Sequence, residues 1–281
     1  MWLPLRTLPP RPNATLSDAW LRGVEQALAD PACDRNRLCR DTLAALAYPQ
    51  YARNLDEAIA DEHIALGTRL ALSTLDPRNI TLEPEFYQDC DDAKFQPVKP
   101  LLWLWYSFDR LPIGGQHVDL GVRLRRILAP YIFKRVGKNF KCFQHVEFSF
   151  GYNLEVGDDV VIHRHVLLDD RGGIVLGNRV SVSDYANIYS HTHSIVEQRD
   201  VTNAVTVLED GVRITYHATV LAGVRVGENA MVGACAVATK DVRPYHVNVG
   251  IPAKSVRVKP NAPTGSEVLS TARERRTGDG T

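Results

Sequence analysis

The sequence predicts a mainly β protein, with a parallel β-helix over residues 136–260 behind a helical region over residues 1–115. Three observations predict it. An apolar residue recurs every six positions, through Val136, Cys142 and Phe148, then Val156, Ile162 and Leu168, then Leu176, Val182 and Ile188. After a longer excursion the beat runs on through Leu208, Ile214, Val220, Val226, Val232 and Ala238. A second small or apolar residue follows four places after most of these, as at Val160, Val180, Ala186, Val212, Ala218, Ala230 and Ala236. Glycine comes directly after several beats (Gly137, Gly157, Gly177, Gly227, Gly233), which fits the freedom of φ that a residue beside a tight corner needs.

Two inward residues per hexad suit a triangular coil of three short strands. An amphipathic helix would need apolar residues at three- and four-residue steps. No coil buries its own apolar face, so coils stack at about 4.8 Å and bury it together.

The elements before the solenoid follow in order. Residues 1–12 carry Pro4, Pro9, Pro10 and Pro12 and no apolar core of signal-peptide length, which reads as the arm of a cytoplasmic protein. Residues 13–75 read as helices: Trp20, Leu21, Val24 and Leu28 keep helical spacing until Pro31, and similar patterns follow up to Pro77. Residues 76–115 read as turn-rich and aromatic, with a loop at Gly114 and Gly115. Residues 116–135 read as a connecting helix, basic and amphipathic over 120–133. Residues 261–281 are polar and read as a disordered tail.

Composition narrows the partners. The 281 residues are 44% hydrophobic and 23% charged with zero formal net charge, so no global field favours nucleic acid or an anionic membrane. The apolar window at residues 101–108 is far short of a membrane span. The cysteines (Cys33, Cys39, Cys90, Cys142, Cys235) are odd in number and widely spaced, and read as reduced, buried thiols.

Chemistry is expected where the beat breaks, between Ile188 and Leu208, because rigid scaffolds often carry functional side chains on such loops. That stretch holds Tyr189-Ser190-His191-Thr192-His193-Ser194. A histidine in a loop is ordinarily just solvated. Here Ile188-Tyr189-Ser190-His191-Thr192-His193, Ala238-Thr239-Lys240-Asp241-Val242 and Gly250-Ile251-Pro252-Ala253-Lys254 together resemble the hexapeptide-repeat acyltransferases, closest to their maltose/galactoside O-acetyltransferase branch. The resemblance covers residues 151–260. The N-terminal helix pair of that branch is not recognisable here, and Arg213 stands where the branch often has tryptophan, departures that bear on sugar specificity rather than on acyl transfer.

The resemblance implies a left-handed β-helix, a homotrimer with sites shared between neighbours, acetyl-CoA as donor, a small hydroxylated acceptor such as a sugar or glycan precursor, and no metal. It implies direct transfer with His193 as general base, a role imidazole suits near neutral pH. His191 is the competing base and, with Asp169 and Asp170, a candidate acceptor contact. Tyr216, Ala234, Thr239, Lys240, Lys254 and Arg257 are candidate coenzyme A contacts, the cations for its phosphates. Two alternatives remain: a non-catalytic solenoid that assembles with partners, and a metalloenzyme resembling γ-class carbonic anhydrases, drawn from His163, His165, His191, His193, His217 and His246.

Overall fold

A computed structural model describes residues 12–263, and the chain divides in sequence between Ile132 and Phe133 into two units. The arm over residues 1–12 and the tail over 261–281 fall almost wholly outside the described residues.

The first unit is helical: α1 (Ala14–Ala29), α2 (Arg35–Ala47), α3 (Leu55–Ala60), α4 (Leu66–Ser73), α5 (Asp92–Arg110), α6 (Pro112–Gln116) and α7 (Val118–Ile132). Leu21, Val24 and Leu28 bury the three-four stripe of α1. Asp34 caps α2, its carboxylate accepting from the Arg37 amide at 3.2 Å. The turn-rich reading of residues 76–115 is corrected: they contain α5, the longest helix described. Its Leu101, Leu104, Trp105 and Phe108 are fully buried, and Asp91 caps its first turn. Pro97 and Pro100 disguised it, since proline inside a pattern reads as a break. The stripe of α7 buries Leu120, Leu124, Leu128 and Ile132, but Arg125 is also inside, ion-paired with Asp109 of α5. Among the described residues no helix is long and apolar enough to cross a membrane.

The second unit is the solenoid, of the left-handed β-helix type. Its first coil is β1 (Arg135–Val136), β2 (Lys141–Cys142) and β3 (Glu147–Phe148); the second is β4 (Leu154–Val156), β5 (Val161–Ile162) and β6 (Leu167–Asp169); the third is β7 (Ile174–Leu176), β8 (Ser181–Val182) and β9 (Asn187–Tyr189). A hairpin of β10 (His191–His193) and β11 (Val201–Asn203) leaves the prism here. The fourth coil is β12 (Thr206–Leu208), β13 (Arg213–Ile214) and β14 (Thr219–Val220), and the fifth is β15 (Arg225–Val226), β16 (Met231–Val232) and β17 (Val237–Ala238). A sixth turn holds β18 (His246–Val249), and β19 (Lys254–Val258) folds back antiparallel on it.

The six-residue beat is the register of this structure. Ile162 pairs with Val182, Leu168 with Ile188, Leu176 with Leu208 and Val220 with Ala238. Each is buried, as is the second inward set from Val160 to Ala236.

The glycines after the beat have a different cause from the one expected. None of the five takes a positive φ. A Cβ on Gly157 would stand 2.7 Å from the carbonyl carbon of Gly177, and one on Gly137 would stand 2.5 Å from that of Gly157. Glycine is required by the approach of successive coils. The left-handed conformation falls two residues later, on Asn139, Asp159, Arg179, Asn229 and Cys235, and on His165, Tyr185 and His217 at corners that have no preceding glycine. Cys235 is one of these corner residues (φ 57) and is exposed, so the buried-thiol reading holds for Cys39 and Cys142 but not for Cys235.

Candidate active site

The three sheets of the prism meet at edges, and two edges bound the sheet of β3, β6, β9, β14 and β17. One carries the hairpin. The other carries a column of rings: His145 on His165 with centroids 4.7 Å apart, His165 on Tyr185 at 4.8 Å and Tyr185 on His217 at 4.8 Å. That spacing is the coil spacing, so the column is the repeat itself expressed in aromatic corners.

The hairpin edge is built from a network anchored in buried groups. Ser190, fully buried, donates from Oγ to the Asp169 carbonyl at 2.5 Å and accepts from the Gly172 amide at 2.8 Å. Its own carbonyl accepts from Ala204 N at 2.8 Å, closing the base of the hairpin. A Cβ on Gly172 would lie 2.3 Å from that carbonyl oxygen, so a side chain there would push the hairpin off the prism. On the far side Thr206 Oγ1 donates to the Tyr189 carbonyl at 2.6 Å. β10 pairs antiparallel with β11, His191 opposite Asn203 and His193 opposite Val201.

Asp169 and Asp170, expected as acceptor contacts at a solvated turn, are both inside the coil at 3% and 0% exposure. Asp170 accepts from the amides of Phe150 at 2.8 Å and Asn153 at 3.2 Å. Burial pushes its carboxyl up to about 6 against the pull of those amides. It serves the backbone of the preceding corner, out of reach of any acceptor. Asp169 accepts from Ser149 Oγ at 2.7 Å and Ser190 N at 3.4 Å, and its remaining partner is Nδ1 of His191. The link follows from the coil register: coils two and three pair with Asp169 opposite Tyr189, which sets His191 just past the carboxylate.

His193, two residues on, contacts the Gln198 carbonyl from Nδ1 at 2.8 Å. A carbonyl only accepts, so Nδ1 carries the proton and the basic lone pair sits on Nε2.

The remaining candidates separate into two groups. Thr239 and Lys240 follow Ala238, whose coil pairs through Val220 with Ile188, so they lie on the hairpin edge, two coils or about 10 Å along it. Tyr216 and Ala234 are exposed on the ring-column edge; Tyr216 meets Tyr185 and His217 edge-on. Lys254 pairs with Val249 at the end of β18 and Arg257 with Val247, both exposed. The histidines are likewise dispersed. His163, His165 and His217 belong to the ring-column edge, His191 and His193 to the hairpin, and buried His246 contacts Ser255 Oγ from Nδ1 at 2.6 Å.

No family model matches the chain. It is 25% identical over 140 residues to galactoside O-acetyltransferase of Escherichia coli (strain K12), a match spanning 48% of this chain and 69% of that protein. Its fold resembles the crystal structure of a maltose O-acetyltransferase from Clostridium difficile 630, with a TM-score of 0.52, 23% identity and coverage of 61% of this chain and 90% of that one. A hexapeptide-repeat acetyltransferase from Vibrio cholerae O1 biovar eltor, solved with acetyl coenzyme A, gives a TM-score of 0.52 at 23% identity over 60% of this chain and 89% of that one.

Proposed function

We propose that this chain, which belongs to the hexapeptide-repeat acyltransferases, transfers the acetyl group of acetyl-CoA to a hydroxyl of a sugar, glycan precursor or similar small acceptor, with His193 as general base. The observation that carries the reading is the His193 ring, held by the Gln198 carbonyl in the tautomer whose Nε2 can take a proton.

Nε2 removes the acceptor's proton as its oxygen attacks the thioester carbonyl carbon, and a tetrahedral oxyanion forms. On collapse the C–S bond breaks, and the thiolate takes the proton back from the imidazolium. Atoms balance with no covalent enzyme intermediate. Lys240, Lys254 and Arg257 supply cations for the phosphates of coenzyme A.

The same reading requires more than one copy, and a homotrimer is the proposed assembly. Tyr216, Ala234 and Lys254 lie toward one edge of the prism and His193, Thr239 and Lys240 on another. One side of the prism, about five residues of extended chain from corner to corner, separates those edges by on the order of 15 Å. A channel touching both groups therefore forms between neighbouring solenoids. The apolar hairpin tip, with Ile195 and Val196 fully exposed, is surface that a neighbour would cover.

The test is an acceptor screen with acetyl-CoA that follows released thiol, run beside light scattering. Thiol release from no acceptor, or a stable monomer of 31.3 kDa at assay concentration, would overturn the activity or the shared site respectively.

A further inference from the structure

Arginines on the outer faces of the prism are paired across coils. Arg135 meets Glu155, Arg164 meets Asp184, Arg179 meets Asp210 and Arg225 meets Glu209, each carboxylate standing one coil from its arginine. Arg213 departs from this rule. Its neighbours in the sheet are Ser181 on the coil before and Met231 on the coil after, and it is exposed. The row continues from Met231 to Val247 and from Val247 to Arg257. It faces outward, because Ile214, Val232 and Asn248, which alternate with its members, are buried.

Lys259, two residues beyond Arg257, shares that side and is half-buried. Its ammonium is held below the ordinary value of 10.5, chiefly by burial and further by the charge of Arg213. β13 and β19 are three strand spacings apart, about 14 Å, so for one charge to act on the other the two long side chains must lean together over Met231 and Val247. Among the described residues neither is ion-paired with a carboxylate. The acidic groups of the adjoining corner are already engaged, Glu209 with Arg225 at 2.5 Å and Glu228 with the Tyr245 hydroxyl at 3.3 Å. Two like charges brought together on a partly dried face repel, and a bound anion turns that repulsion into attraction.

We infer that Arg213 and Lys259 form an anion site on the outer face of the β13–β16–β18–β19 sheet, which takes a phosphate monoester and lays its organic part on Met231 and Val247. A phosphate monoester carries close to two negative charges at neutral pH and balances both cations; a carboxylate balances one. The guanidinium fork of Arg213 matches two phosphate oxygens, and Lys259 supplies a point charge beside it. Neither residue has a part in the acyl-transfer reading, and the site stands without it. If that reading holds, the phosphate belongs either to the donor, as the 3′-phosphate of coenzyme A, or to a phosphorylated acceptor.

The experiment is calorimetric titration of the full chain at low ionic strength with two pairs of probes, adenosine 3′-monophosphate against adenosine and glucose 6-phosphate against glucose. In at least one pair the phosphorylated member should bind about 10- to 100-fold more tightly, the effect of hydrogen bonds to a charged group. Arg213→Gln and Lys259→Gln should each bring that ratio toward one. A larger ratio in the adenosine pair assigns the face to the donor, a larger one in the glucose pair assigns it to an acceptor, and equal ratios show that phosphate alone is read. Arg225→Gln removes a cation of the neighbouring face that is already paired with Glu209, and should keep the ratio. Wild-type ratios near one in both pairs, ratios kept by both Arg213→Gln and Lys259→Gln, or an equal loss in Arg225→Gln would overturn the site. Binding is read without turnover, so failure of the phosphate probes leaves acyl transfer standing, and failure of every acceptor to release thiol leaves the anion site standing.

Discussion

Both edges of the β3–β17 sheet are lined with histidines, and they differ in what those histidines are bonded to. On the ring-column edge His145, His165 and His217 obey the repeat: each takes a corner with φ between 55 and 60 and stacks on the ring one coil away. On the hairpin edge the repeat is broken, and His191 and His193 are held by a carboxylate and a carbonyl that fix which nitrogen is basic. Stacking holds a ring without choosing its protonation; a hydrogen bond to Nδ1 chooses it. Repetition alone supplies a stiff, dry scaffold, and the insertion lets a buried carboxylate of one coil meet a side chain of the next.

The largest expected difference between the edges is in turnover. His193→Ala should lower kcat by about 10²- to 10⁴-fold, the usual contribution of a general base, with coenzyme A affinity and the circular dichroism spectrum retained. His217→Ala, on the ring column, should change kcat far less. Equal losses from the two variants would erase the distinction drawn here.

A second pair of substitutions separates the solenoid from the helical unit through glycine. Gly157→Ala sets a Cβ 2.7 Å from the backbone of the next coil, and backbone cannot swing aside as a side-chain end can. It should destabilise the solenoid by about 1–3 kcal/mol in denaturant unfolding. Gly23→Ala, in α1 with nothing within 4 Å of the added carbon, should instead stabilise by about 0.5–1 kcal/mol, because alanine surrenders less backbone entropy in a helix. Destabilisation by both would mean that glycine in this chain is not selected by coil approach.

What could be read from the sequence follows the same division. The beat from Val136 to Ala238 was readable because each inward residue pairs with its counterpart one coil on and has no polar alternative. The excursion carrying His191 and His193 was readable as the one long interruption. Asp169 was not readable as the partner of His191, since its turn looks solvated until the coil register brings Ser149, Ser190 and His191 around it. Helix α5 was hidden by Pro97 and Pro100, which tertiary burial of Leu101, Leu104, Trp105 and Phe108 overrides. The glycines after the beat were noticed for the right positions and the wrong reason, because close approach of backbones from different coils leaves no trace in a local pattern.

The smallest expected effect is the pH response of the ring column. His163 and His165 are held below the ordinary value of 6.5, in both cases chiefly because burial withholds water from the charged form. Around His165 the His145 ring and Arg164 lower it further while Asp184 and Glu147 oppose them; around His163, Asp184 opposes and Arg164 adds. Above pH 6.5 both rings are neutral folded and unfolded, and their contribution to stability is fully present. As pH falls from 6.5 through the depressed folded values, the unfolded chain binds protons that the folded chain resists, and the contribution is lost. Asp170 runs the other way: raised to about 6, its contribution is greatest below the unfolded value of 3.8 and fades as pH rises through about 6. His165→Asn isolates the column, because asparagine already occupies the equivalent left-handed corners at Asn139 and Asn229 and removes the titrating ring without straining the backbone. The wild-type Tm should then fall more steeply than that of His165→Asn between pH 7 and 5.5, by a small margin because His165 is largely solvated. Parallel curves would show that the stacked corner contributes packing alone, with no response to protons.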